Sequence, residues 1–142
     1  MESYEIWNAL LERTTAAGLE SLTPVERAVV RVNCFVYAVD NGGLSGFLYN
    51  IEGGGSEPTW SELRAVAEAV RQVGALECAG ALVDLAVLVE GSAARAPPTW
   101  EALLESLGTA FERLEQRIEA YVPQLWDQLE AYTQQHLGVG RH

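Results

Sequence analysis

Apolar residues recur at helical spacing along most of the chain. Residues 4–17 show the three- and four-residue spacing of an amphipathic helix. Two later segments, residues 24–40 and 75–90, are apolar on nearly all sides, which predicts central helices that pack on each other. No segment alternates with period two over the length of a strand. The pattern predicts an all-α fold, with residues 1–142 forming a single compact multi-helix domain.

The start of the first central helix carries three agreeing signals. Thr23 is a suitable N-cap, Pro24 suits the first helical position, and Glu26 stands where a capping box needs an acid. The predicted end is a run of three residues, Asn41, Gly42 and Gly43, because glycine enters the left-handed backbone region without a Cβ clash. A short helical segment over residues 44–50 follows. Gly74 is expected to separate the next helix from the second central one.

Charge is the outlying feature of the composition. The chain has 20 acids against nine bases, all of them arginine, for a formal net charge of −11. The acids are spread along the whole chain, so they belong to the surface of a folded body. Because phosphate groups repel such a surface, direct nucleic-acid binding is disfavoured.

Several patterns point to a cytoplasmic protein with reduced thiols. The start of the chain lacks the basic and apolar regions of a secretory signal. The longest apolar run is about 15 residues, whereas a membrane span needs about 20. Cys34 and Cys78 lie far apart in apolar segments, so both are predicted to be buried, unreactive core residues.

The candidates for catalysis are weak. His136 and His142 are the only histidines, and the cysteines form no CxxC pair, so no metal or cofactor site is predicted. Glu77 and Asp84 share one face of the 75–90 helix, where two carboxylates could act as acid and base. The pattern favours the alternative, in which they form a solvent-facing or arginine-paired strip. A non-enzymatic protein is therefore expected.

A helix predicted over residues 100–121 carries the sharpest pattern. Its acids fall within about ±40° of one line at 100° per residue, and they are Glu101, Glu105, Glu112, Glu115 and Glu119. We call these five residues the acidic stripe. Arg113 and Arg117 lie off its line, so the stripe is not neutralised within its own helix, and Gly108 lies within it as a possible kink. The stripe is either an ordinary solvated face or a surface that binds a basic protein.

Residues 22–89 also resemble the bacterial DNA-mimic-protein-like family of small acidic helical proteins. The resemblance rests on the Thr-Pro-x-Glu-Arg start at 23–27 and the Tyr-x-x-x-Asn-Gly-Gly stretch from Tyr37 to Gly43. It continues through the aromatic turn with Phe47, Tyr49 and Asn50, and through Val-Gly-Ala at 73–75. In that family the characterised behaviour is a dimer whose acidic surface imitates duplex DNA and occupies a DNA-binding transcription factor. The resemblance thus implies a homodimer with a basic, DNA-binding protein partner.

The charge spacing of the stripe tests this expectation. Five charges over about 27 Å of helix axis give one per about 5 Å. A single DNA strand carries one per about 3.4 Å and the duplex one per about 1.7 Å. A second acidic row, from another helix or a dimer partner, is therefore expected of a mimic. An immunity-type protein that binds a basic toxin or nuclease remains the alternative.

Overall fold

The computed structural model describes residues 1–50, 61–93 and 100–138. In these residues the chain forms helices and no strand, which confirms the all-α prediction. The helices are α1 (Ser3–Ala17), a 3₁₀ turn (Leu19–Ser21), α2 (Pro24–Asn50), α3 (Ser61–Gln72), α4 (Leu76–Ala93), α5 (Trp100–Leu107), α6 (Thr109–Ala120) and α7 (Val122–Leu137). Within the same residues, no helix combines the length and the apolarity that crossing a bilayer requires.

The core is organised around α2, which packs against α1, α3, α6 and α7. Its side chains Val29, Val32 and Phe35 are fully buried. The prediction that the two apolar helices pack mainly on each other is wrong, because α3 lies between them and forms the main contacts with both. Small alanines of α3 allow this close approach on two sides: Ala69 faces α2, and Ala67 faces α4.

The capping signals at the start of α2 are confirmed. The Thr23 amide donates to Glu26 Oε1 at 2.9 Å, and the Glu26 amide donates to Thr23 Oγ1 at 3.2 Å. The hydrogen bond from the Thr23 backbone, aided by Arg13, lowers the pKa of Glu26. Pro24 occupies the first helical position, as predicted.

Gly74 separates α3 from α4, as predicted. Its φ of +98° lies in the left-handed region, where glycine avoids the Cβ penalty. The Gly74 amide donates to the Arg71 carbonyl and the Ala75 amide to the Val70 carbonyl. This pair of bonds is the Schellman arrangement, which satisfies the last carbonyls of α3.

The Asn-Gly-Gly run interrupts α2 at one residue. Gly43 has a φ of +72° and a ψ of 176°, whereas the residues on both sides are helical. Asn41 remains in the helix and donates its carboxamide to the Tyr37 carbonyl at 2.7 Å. The helix therefore changes direction at Gly43 and resumes over residues 44–50.

The predicted helix over residues 100–121 is not continuous. Gly108, with a φ of +54° and a ψ of −127°, divides it into α5 and α6. A helix cannot continue through that conformation, so the acidic stripe is distributed over two helices.

The predicted burial of the cysteines is confirmed for Cys78 and wrong for Cys34. Cys78 is 2% exposed, and burial raises the pKa of its thiol to about 12. Cys34 is exposed, because it lies on the outer line of α2 together with Tyr37 and Asn41. The pKa of the Cys34 thiol is still raised, chiefly by desolvation from neighbouring protein atoms and secondarily by the Glu62 carboxylate.

Candidate protein-binding surface

The acidic stripe begins on α5 and continues on α6. Glu105 on α5 and Glu112 on α6 are exposed to solvent. The side chain of Glu101 lies outside the described part of the chain. Glu115 and Glu119 are half-buried on α6. The five acids therefore do not present equivalent carboxylates.

Glu115 and Glu119 contact the break in α2. Glu119 Oε2 accepts a hydrogen bond from the Leu44 amide at 2.8 Å, and Glu115 Oε2 accepts one from the Ser45 hydroxyl at 2.9 Å. Leu44 is the first residue after Gly43, so its amide has lost its helical partner. A carboxylate at the start of a helical segment also complements the helix dipole. These two acids thus stabilise the fold as well as contributing charge.

Gly43 permits this contact. A Cβ at position 43 would lie 3.2 Å from Glu119 Oε2. Any other residue would meet both a positive φ and a close carboxylate. The sequence contains both partners of this contact, the Asn-Gly-Gly run and the acidic stripe. Nothing in the sequence indicated that the two segments lie against each other in the fold.

Five arginines pair with acids outside the acidic stripe. The ion pairs found among the described residues are Arg13–Glu26, Arg31–Glu62, Arg64–Glu90, Arg71–Glu68 and Arg117–Asp84. None of them includes a residue of the acidic stripe. Two exposed acids of α7, Asp127 and Glu130, also lack an arginine partner among those pairs. The only signal for these two acids in the sequence is their three-residue spacing, which places them on one side of α7.

The surface of α3 and α4 has the opposite character. Four exposed residues recur at spacings of four, three and four along α4: Leu76, Gly80, Val83 and Val87. We call them the apolar strip. Leu76 is 66% exposed and Val87 is 57% exposed. Such spacing is that of a helix seam that packs against a second helix.

The charged groups beside the apolar strip neutralise one another. Arg64 Nε lies 2.5 Å from Glu90 Oε2, and Arg71 pairs with Glu68. Arg64, Glu68 and Arg71 line a depression together with Leu76, Gly80 and Val83. Further along α4, Asp84 pairs with Arg117 of α6 at 3.1 Å. The apolar strip therefore lies in a surface of nearly balanced charge.

Asp84 and Glu77 do not form a shared pocket. The ion pair with Arg117 engages Asp84, whereas Glu77 lines a separate depression with Cys78 and Tyr121. Asp84 thus matches the arginine-paired alternative. Across the described ranges, no group of three or more histidine, cysteine or acidic side chains is arranged to hold a metal ion.

Comparison with protein families matches residues 20–136 to the DMP19-like proteins. The match extends past the region of resemblance at 22–89 and includes α5, α6 and nearly all of α7. Searches of curated proteins and of solved structures give no match. Since the family match spans most of the sequence, this chain belongs to the DMP19-like protein family.

Proposed function

We propose that this protein is a non-enzymatic binding module, without a cofactor, whose acidic surface occupies a basic protein. The observation that supports it is the distribution of ion pairs. The described carboxylates of α5, α6 and α7 have no arginine partner among these ion pairs, whereas four of the five acids on α3 and α4 are paired and Glu77 is the exception. An unpaired acidic surface steers a basic protein toward it through long-range attraction.

The proposed target is a DNA-binding protein, whose DNA site the acidic surface covers. Glu112, Glu115 and Glu119 place three charges over about 10 Å of α6, which approaches the density of one DNA strand. Asp127 and Glu130 of α7 supply further exposed charge. The same charges repel DNA itself, so no direct nucleic-acid binding is proposed.

The test compares two variants that remove equal charge from different surfaces. The first variant carries Glu105→Gln, Glu112→Gln and Glu130→Gln, and leaves Glu119 and its contact with α2 intact. The control carries Glu12→Gln, Glu20→Gln and Glu77→Gln, which are exposed acids of α1, the 3₁₀ turn and α4. Each variant changes the formal net charge by three, so any difference reports the location of the charge.

Immobilised wild-type protein and both variants are exposed to lysate from the native organism and eluted with a salt gradient. We expect basic proteins to elute from wild type and control at similar salt, and from the first variant at lower salt, because screening weakens the attraction. Duplex DNA should displace the bound protein. Equal elution from all three proteins would contradict the role of the surface, and failure of DNA to compete would contradict mimicry alone.

The alternative target is a basic toxin or nuclease, with the protein acting as an immunity partner. Both targets are basic, so binding to the acidic surface does not distinguish them. They are separated by the identity of the captured protein and by whether its toxicity, rather than its occupancy of DNA, is suppressed.

We further propose that two copies of the chain form a homodimer through the apolar strip. Two molecules that each carry a charge of −11 repel one another over most of their surfaces. The repulsion is smallest where Arg64, Arg71 and Arg117 neutralise the neighbouring acids. Dimerisation there would leave α6 and α7 available to the basic partner.

A further inference from the structure

A second candidate site lies in a groove between α1, α2 and α7. Its volume is about 390 Å³, and its lining includes Trp7, Asn33, Tyr37 and Trp126. We call it the aromatic groove. None of the acidic stripe residues lines it.

Asn33 is the unusual residue of the groove. It is 8% exposed, and its carboxamide has no hydrogen-bond partner within the described residues. Buried amides in folded proteins nearly always bond to protein or to water, so an amide that lines a groove without a protein partner is available to a water molecule or to a ligand. Its oxygen can accept a hydrogen bond, and its nitrogen can donate two.

The aromatic walls are held in place by their own hydrogen bonds. The Trp7 indole donates to Thr133 Oγ1 at 2.9 Å, and the Trp126 indole donates to Asp40 Oδ2 at 2.5 Å. Their ring centroids are 5.7 Å apart at an interplanar angle of 42°. Both polar indole atoms are thus engaged within the protein, which leaves the ring surfaces as the lining. Tyr37, which is 64% exposed, adds a third ring at the rim.

The lining of the groove is uncharged, and a carboxylate lies beside it. Asp40 adjoins it through Trp126, and no arginine is among the groove's lining residues. Asp40 also belongs to none of the ion pairs of the described chain. A cation with a planar face fits this combination of aromatic rings, an amide acceptor and a carboxylate.

We propose that the aromatic groove binds an arginine side chain of another polypeptide. The guanidinium group stacks on the indole rings, donates a hydrogen bond to the Asn33 oxygen and is balanced by the Asp40 carboxylate. Lysine fits less well, because its compact ammonium is more strongly hydrated and cannot stack as a plane. A nucleobase could also stack and pair with an amide, but the phosphate of a nucleotide would be repelled by Asp40 and by the net charge.

The test measures capped tripeptides in which the central residue between two glycines is arginine, lysine or citrulline. Citrulline keeps the planar shape of arginine without its charge, and adenosine serves as the nucleobase probe. Binding is followed in ¹H–¹⁵N spectra by the indole signals of Trp7 and Trp126 and the carboxamide signal of Asn33. We expect saturable shifts of these signals with the arginine peptide, and binding weaker by roughly fivefold with the lysine and citrulline peptides.

Two exposed substitutions probe the site without altering the core. Asp40→Asn keeps an oxygen that can accept from Trp126, and it should weaken arginine binding by about threefold while leaving citrulline binding unchanged. Tyr37→Ala should weaken both. The matched control, Glu77→Gln, removes one acid from α4 and should change neither.

Three results would overturn the proposal. They are the absence of saturable shifts with the arginine peptide, equal binding of arginine and citrulline peptides, and tighter binding of adenosine than of arginine. The signals followed belong to the aromatic groove, which contains no acidic stripe residue, so the result is separate from the outcome of the lysate experiment. A stripe that fails to bind basic proteins would leave this measurement intact.

Discussion

Two neighbouring surfaces of this protein differ in whether their carboxylates are paired with arginines. On α3 and α4, carboxylates such as Glu90 and Asp84 are matched by arginines and border an apolar strip. On α6 and α7, carboxylates such as Glu112 and Glu130 have no arginine partner within the described chain. The comparison shows that the placement of the arginines, as well as that of the acids, decides which carboxylates remain unpaired. The first surface is the one proposed for contact between two copies of the chain, and the second is the one proposed to bind a basic protein.

The largest expected effect is on self-association. Val83→Glu places a charge in the middle of the apolar strip, where a dimer would bury two copies of it. We expect the dimer dissociation constant to rise by at least about 100-fold, because an unpaired buried charge is strongly destabilising. Sedimentation equilibrium over a range of concentrations measures the change.

The control for this variant is Gln135→Glu, which adds the same charge to an exposed position of α7. It should leave the dimer intact. A wild-type protein that remains monomeric at high concentration would remove the proposed role of the apolar strip, and equal dissociation by both variants would indicate a general charge effect.

The next effect concerns the backbone at the break in α2. Gly43→Ala forces a Cβ into a positive φ and against Glu119. We expect a loss of about 1–2 kcal/mol in the free energy of unfolding. Gly42→Ala, at a neighbouring position with no atom within 4 Å of the added Cβ, should be neutral or stabilising. Urea denaturation of both variants makes the comparison, and equal stabilities would show that the break tolerates a side chain.

A smaller effect separates the structural acids of α6 from the exposed ones. Glu119→Gln removes the charge from the group that accepts the Leu44 amide, so we expect a loss of about 1 kcal/mol. Glu112→Gln relieves like-charge repulsion with Glu115 and should be neutral or stabilising by a few tenths of a kcal/mol. Thermal unfolding of the two variants measures the difference. If Glu119→Gln proves as stable as Glu112→Gln, the contact with α2 contributes no net stability.

This difference marks where sequence reasoning reached its limit. The capping box at Thr23 and the helix ends at Gly43 and Gly74 depend on residues within a few positions of each other, and all were predicted. The five acids of the stripe were equivalent in sequence because helical spacing describes one helix at a time. Their separation into capping and exposed groups depends on α6 packing against α2, a contact between residues 75 positions apart.

The same limit explains the two corrections in the core. Apolar composition on most sides of α2 and α4 indicated burial but not the neighbour, and the small residues of α3 allowed it to lie between them. Cys34 was assigned to the core because its neighbours are apolar, whereas it shares its exposed line with Tyr37 and Asn41. These two polar residues, three and seven positions after Cys34, were the sequence signal that this line of α2 is exposed.

The smallest expected effect tests whether the balanced charge of the α3–α4 surface contributes to formation of the proposed dimer. The Arg64 guanidinium, through its hydrogen bonds, lowers the pKa of Glu90 below the ordinary value of 4.5. The contribution of this pair to stability is therefore fully present above the pKa of Glu90 in the unfolded chain. It is lost as the pH falls through the lower pKa of Glu90 in the folded protein.

Arg64→Gln should raise the pKa of Glu90 toward its ordinary value, which ¹³C carboxyl spectra can follow. The change in stability should be small because the pair is exposed. It should also raise the negative charge beside the apolar strip and weaken the proposed dimer, most strongly at low salt. Arg13→Gln, which removes a positive charge from the Glu26 pair of α1 and α2, is the matched control. If both variants dimerise as the wild type does, local charge balance has no part in choosing the surface on which two acidic molecules meet.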